Sequence, residues 1–491
     1  MRAQVIGEGA NLGVTQQGRV DFARAGGGIN TDAIDNSAGV DCSDHEVNIK
    51  ILLGAAVAAG DLTAIQRDRL LADMTDEVAD LVLRDNYDQT QALTLMADAA
   101  AARLDDHQAL IRALERGPLK LDRRLEGLPD EEEMAARRAA GAGLTRPELA
   151  VLLAYAKMDL FDRLKASDLP DDDALADDLV AYFPDRLNAQ FGDLIPRHRL
   201  GREIIATSVT NALMNRLGAD AVRNLSARSG AGDDEVARAF LVARAVFDLP
   251  GLWRAVETLD NQVPAAIQTE MLRAIQDLVA DGTLWFLRHA PRPLDIAGLT
   301  AAYGPGLAAL RAHTAHLPAS AAATAAIARL TEAGVPAELA EAVTAIDVLT
   351  AGCDITRLAT DKNRPVPAVA TVYAETGGRF ALGWLRARAE ALPADTPWQA
   401  QAARQLVDGL FANHAALTAQ ILEASAAPPT DKPHVDAITG LTAWSAPRAA
   451  AIARVDQTLA DLGAVEAPDL AMLTVAHAQI QALLTQPAAT V

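Results

Sequence analysis

Cysteine is nearly absent from these 491 residues: Cys42 and Cys353 stand alone and far apart. Two such thiols imply no disulfide framework, and a reducing compartment is the default. Aromatic residues make up only 4%. Lysine is scarce, with six against 38 arginines, a coding bias more than a functional signal. No run of about eighteen apolar residues exists to span a membrane. The start "MRAQVIGEGANLG" lacks the apolar core of a signal peptide. Positive charge is outweighed, giving a net charge of −21. An acidic surface repels phosphate, which argues against nucleic acid and against an anionic membrane surface as partners. A cytoplasmic protein is the expectation.

Half the residues are hydrophobic, and Ala and Leu supply much of that half. Both are strong helix formers with little strand preference, so composition favours a mainly α protein. The length suits roughly two to four domains. The first 46 residues differ from the rest. They are rich in Gly and hold no helical period longer than two turns. They read as short strands "AQVIGE", "GRVDFA" and "GGINTDAI" joined by tight turns. From His45 onward, apolar residues recur at three- and four-residue spacing. One helix is expected across "TAIQRDRLLADMTDEVADLVLRDN", with Ile65, Leu70, Met74, Val78, Leu81 and Leu83 as its apolar set. Another opens at Thr145, where Glu148 completes a capping box and Pro147 sits in the first turn. The helical period lapses over 116–133, "RGPLKLDRRLEGLPDEEE". We therefore expect two parts, 1–117 and an all-helical 118–491.

The densest set of chemical groups is "DNSAGVDCSDHE", Asp35 to Glu46. Several readings compete there. A zinc site wants Cys and His in pairs, and the "CSDH" of Cys42 and His45 has no second such pair, so no metal is expected. A nucleophilic Cys42 is disfavoured because Asp41 and Asp44 raise a thiol's pKa. The plainer reading makes Cys42 a small buried hydrophobe and Asp44 to Glu46 the start of a helix, capped by Ser43 or Asp41. Upstream, "VIGEGANLG" carries Gly7, Gly9 and Gly13, but Leu12 breaks the spacing of the dinucleotide fingerprint and no long helix follows. No complete βαβ unit is apparent. Thr207, Asn211 and Asn215 form a polar stripe at four-residue steps, either a solvated face or a buried ladder.

Together, "GEGAN" (Gly7 to Asn11) and "NSAGVDCSDHE" (from Asn36) resemble two motifs of the glutamate dehydrogenases. Asn36, Gly39, Val40, Ser43 and Glu46 match an "NAGGVTVSYFEW"-like stretch of the common hexameric enzymes. Ala38, Asp41, Cys42, Asp44, His45 and Val47 depart from it. Those departures, with "LTRPELAVLLAYAKMDL" and "HRLGREIIATSVTNALMNRLG", look like the large NAD-specific glutamate dehydrogenases of bacteria. The resemblance covers most of the chain and is strongest over residues 5 to 53.

It implies a remnant of a Rossmann-type α/β domain followed by a large helical region. It implies NAD as cofactor and L-glutamate and 2-oxoglutarate as substrate and product, with homo-oligomers as the assembly. By resemblance, Gly9, Ala10, Asn11 and Asn36 lie beside the cofactor, and Val40 and Ser43 line the pocket for the glutamate side chain. The family's catalytic lysine sits in a Gly-rich setting. None of Lys50, Lys120, Lys157, Lys165, Lys362 and Lys432 does. No catalytic residue is therefore assigned. The expectation is the C-terminal portion of a longer dehydrogenase whose N-terminal part is missing here, inactive on its own; the alternative is a non-catalytic helical interaction or regulatory module.

Overall fold

The structure is a computed structural model describing residues 2–318, 320–393, 396–425 and 433–485; Lys432 lies outside these. It is mainly helical, and it divides into two compact units, the first ending at Leu299 and the second beginning at Thr300. The 116–133 stretch falls within the first unit and is non-helical from Gly117 to Asp130.

The first unit starts with strand β1 (Val5–Ile6), helix α1 (Gln16–Arg24) and strand β2 (Gly28–Ile29). The strands pair in parallel, Val5 with Gly28 and Ile6 with Ile29. A helical crossover thus joins two parallel strands; the sequence leads one to expect strands at both positions but not the helix between them. The expected strand "GRVDFA" is helical instead. Thr15 caps it, its hydroxyl accepting from Gly18 N–H at 3.1 Å, and burial of Arg19 and Val20 gives it an inner face. Gly27 follows where any side chain would strike the Phe22 ring.

A short α2 (Asp32–Asp35) leads directly into α3 (Ser37–Ala59), which ends at Gly60 with φ +86°. Asp44, His45 and Glu46 therefore lie well inside a helix and do not begin one, and neither Asp41 nor Ser43 is its cap. Cys42 is exposed on it, not buried. The helix expected over 63–86 is two, α4 (Ala64–Asp73) and α5 (Thr75–Asp98), with fully buried Met74 at the break. Ile65 and Leu83 consequently face outward. Next come α6 (Leu104–Arg116), α7 (Glu131–Ala139) and α8 (Arg146–Ala166). Thr145 N–H and hydroxyl both donate to Glu148 Oε2, at 2.6 and 2.7 Å, which is the expected capping arrangement. Then follow α9 (Ala176–Ala181), α10 (Asp185–Phe191), α11 (Gly201–Leu217), α12 (Ala221–Ser229), α13 (Asp233–Val246), α14 (Leu249–Glu257) and α15 (Ala265–His289).

Helix α5 packs against α3, α8 and α11. Ile49, Leu52 and Leu53 of α3, Leu93 of α5, Leu149, Leu152 and Leu164 of α8 and Leu213 of α11 are essentially excluded from water. Each such side chain contributes about 2 kcal/mol of transfer free energy. This core fixes the helix faces that carry polar groups at their N-terminal side. Among its described residues the second unit has helices and short connections but no strand, with Val366–Arg379, Pro397–Ala424, Pro433–Ser445 and Leu470–Thr485 packed around Phe380, Leu417, Ile421 and Ile480. Among the described residues, no helix is long and apolar enough to cross a membrane.

Candidate functional site

The turn after β1 is shaped by one carboxylate. Glu8 is buried; its oxygens accept from Val14 N–H at 2.7 Å and from two nitrogens of Arg19, one at 2.9 Å. The Arg19 guanidinium holds the Glu8 carboxyl below its ordinary pKa. Glu8 N–H in turn donates to Asp35 at 3.0 Å. Asn30 donates to the same Asp35 at 2.8 Å, and Arg146 of α8 donates to Asn30 at 2.9 Å. Asn86 of α5 anchors the α2–α3 junction, donating to Ile34 carbonyl and Ser37 hydroxyl at 2.8 and 3.0 Å. This scaffold lets Asn11 and Leu12 adopt left-handed φ values of 49° and 54°. That conformation costs bulky residues on the order of 1 kcal/mol. Leu12 N–H is compensated by a 3.0 Å bond to Asp32.

The result is that Asn36 Nδ2 donates to Asn11 Oδ1 at 2.6 Å. Gly39 sits against the Asn36 amide; a Cβ there would lie 3.2 Å from Oδ1. Asn11 and Asn36 line a cleft of about 370 Å³ together with Val40, Asp32, Asp41, Asp44, Asp85, Gln89 and Asn211. Of the residues expected at a site, the fold therefore gathers Asn11, Asn36 and Val40. Gly9 and Ala10 are exposed and outside the lining. Ser43 is also exposed and outside it, and its hydroxyl donates back to the Gly39 carbonyl at 3.4 Å. Since Ser43 is mid-helix, free N–H groups do not back its hydroxyl. The Thr207–Asn211–Asn215 stripe divides: Thr207 is exposed, Asn211 reaches the cleft and Asn215 is buried.

The cleft is acidic. Burial, reinforced by Asp85, pushes the Asp41 carboxyl up to about 6. Lys157 of α8 feels the charges of Asp85, Asp88 and Asp41, yet burial brings it down to about 8. Asp85, Gln89 and Lys157 were missed from the sequence. They belong to α5 and α8, and only packing brings those helices to α3. No residue of the lining is a Lys or Arg.

Residues 141–482 match the family described as "Glutamate dehydrogenase, C-terminal". The chain belongs to that family. Residues 1–96 match "Bacterial NAD-glutamate dehydrogenase, catalytic domain", so the amide-lined cleft borders lie mostly within the match to the catalytic domain. A protein named NAD-specific glutamate dehydrogenase from Pseudomonas aeruginosa is 41% identical over 487 residues, 98% of this chain and 30% of the relative. Proteins of the same name from Halomonas elongata and Mycobacterium tuberculosis are 40% and 35% identical, over 89% and 98% of this chain and 27% and 29% of theirs. This member of the glutamate dehydrogenase family thus spans about 30% of the length of these relatives.

Proposed function

We propose that this chain forms part of the NAD and glutamate site of an NAD-dependent glutamate dehydrogenase, which oxidatively deaminates L-glutamate to 2-oxoglutarate and ammonia. The observation that carries this reading is the Asn36–Asn11 hydrogen bond of 2.6 Å on a cleft that also holds Val40. The two motifs lie apart in sequence, and the fold joins them as a shared site requires. The bond leaves Asn11 Nδ2 as donor and Asn36 Oδ1 as acceptor, the pair that a carboxamide needs. Bound NAD would supply the hydride acceptor for the glutamate α-carbon. Asn11 and Asn36, with the Gly9–Ala10 backbone, would orient its nicotinamide side, and Val40 and Ser43 would border the substrate side chain. The β1–α1–β2 parallel pair supports a remnant of a Rossmann-type domain over the first residues.

A dicarboxylate substrate needs positive charge, and the cleft lining carries four aspartates with no Lys or Arg. This reading therefore assigns the substrate-binding cations, and the catalytic lysine and aspartate, to residues outside these 491. It keeps 1–117 as the end of the catalytic region, 118–491 as an all-helical C-terminal region, and homo-oligomers as the assembly. The test is glutamate-dependent NADH formation. The purified chain alone should show no turnover; clear turnover overturns the division of labour. Fused behind the upstream region of the Pseudomonas aeruginosa relative, the chain should be active. There N36A and N11A should lower kcat/KM at least tenfold, and unchanged kinetics in N36A would remove the carrying observation. Light scattering on the full chain tests the assembly, and a strict monomer counts against it.

A further inference from the structure

Helix α3 places Asp41 and His45 one turn apart, and α5 brings Asp85 across to them. One oxygen of each aspartate and a ring nitrogen of His45 lie within 4.8 Å of one another. His45 Nε2 is 4.0 Å from Asp41 Oδ1 and 3.9 Å from Asp85 Oδ2. Those separations are too long for hydrogen bonds. They match two ligands sharing one ion: donors with bonds of roughly 2.0–2.2 Å stand roughly 3–4.3 Å apart between the cis and trans arrangements.

The imidazole itself is the second indication. Its side chain is only 3% exposed, and neither ring nitrogen has a hydrogen-bond partner. A buried polar group without a partner costs about 1–3 kcal/mol, so a native site that keeps one calls for an occupant. Tyr182 stacks on the ring at 4.4 Å, and Asn48 donates to the Tyr182 hydroxyl at 2.8 Å. The ring is thereby braced with Nε2 toward the two carboxylates. Asp41 and Asp85 also line the cleft, which gives an ion a path from solvent. The Asp85 side chain is 41% exposed and can turn to close the distance.

We propose that Asp41, His45 and Asp85 bind a divalent first-row cation at the floor of the cleft, with water completing its coordination. One imidazole and two carboxylates form a donor set suited to Zn²⁺ or Mn²⁺. Such an ion would offset two of the negative charges gathered by Asp32, Asp41, Asp44 and Asp85. Its binding needs no turnover, so the inference stands or falls apart from the proposed dehydrogenase role.

The experiment uses the full 491-residue chain, stripped with chelator and dialysed, then titrated with Zn²⁺ by calorimetry and with Mn²⁺ by loss of the free-ion EPR signal. One equivalent should bind. D85N and H45Q should each weaken binding at least tenfold, while C42S should leave it unchanged. Asp85 is partly exposed, so D85N should keep the metal-free melting temperature of the parent and remains decisive even if H45Q folds poorly. No saturable binding of either ion, or the same affinity in D85N as in the parent, overturns the proposal.

Discussion

The two compact units are both helical, yet they secure themselves differently. The first keeps ion pairs inside. Arg137 grips Glu148 through two bonds of 2.8 and 2.6 Å, with side chains only 7% and 1% exposed. Arg84 and Arg216 both donate to Glu257 at 2.8 Å. In the second unit, the Arg379–Asp456 and Lys362–Glu423 pairs lie at the surface, and Phe380, Leu382, Leu385 and Ile480 form an apolar interior. The difference follows from what each must hold. Helices satisfy their own backbone and can pack through apolar faces alone. The turn after β1 and the chain before α8 have no regular ladder, and ionic side chains supply the missing cross-links there, while the Arg84–Glu257–Arg216 cluster adds an ionic tie between α5, α14 and α11. Removing one partner of such a buried pair strands the other charge, at several kcal/mol.

The largest break in the comparison should come from E148A. It leaves the Arg137 guanidinium buried without its main partner and removes the acceptor for Thr145 N–H. We expect a loss of about 4 kcal/mol in urea unfolding followed by circular dichroism; a loss below about 1 kcal/mol would erase the distinction drawn here. A smaller effect should appear with pH. His107 of α6 is buried, and desolvation brings its pKa from 6.5 down to about 4. The unfolded ring takes up a proton near 6.5 and the folded one resists until about 4, so protons favour unfolding in that window. Stability is full above pH 6.5 and should fall by roughly 3 kcal/mol as pH drops to 4. Melting temperatures between pH 7 and 4.5 would show it, and H107L should flatten the slope; an unchanged slope in H107L rules this group out. The smallest effect belongs to the second unit. R379A should cost below about 1 kcal/mol, because the Asp456 pair is solvent-exposed. A loss comparable to E148A would show that surface pairs there matter as much as buried ones.

Much of the helical architecture was legible, because three- and four-residue spacing reports one apolar face. The Thr145–Glu148 cap was legible too, since it is a local contact. The opening segment was not. In α1, Val20 is buried alongside Arg19, and an arginine does not register as a core residue in a hydrophobic pattern. Helix α3 begins at Ser37 through Gly39 and β-branched Val40, in a stretch with no helical period to announce it. The Asn11–Asn36 contact was reachable only through resemblance, since nothing in either motif alone says that the two meet. Asp85 and Lys157 gave no signal, because their role depends on helix packing.

The amide pair also bears on selectivity. Asn36 already gives a proton to Asn11, so each amide fixes the orientation of the other before any ligand arrives. An incoming carboxamide would then meet the remaining donor, Asn11 Nδ2, and the remaining acceptor, Asn36 Oδ1, without displacing the bond between them. A ligand group that can only donate, or only accept, would leave one of the two unanswered at a cost in free energy. Recognition at this point would therefore discriminate between an amide and a carboxylate or an ammonium, and groups elsewhere along the ligand would set most of the affinity.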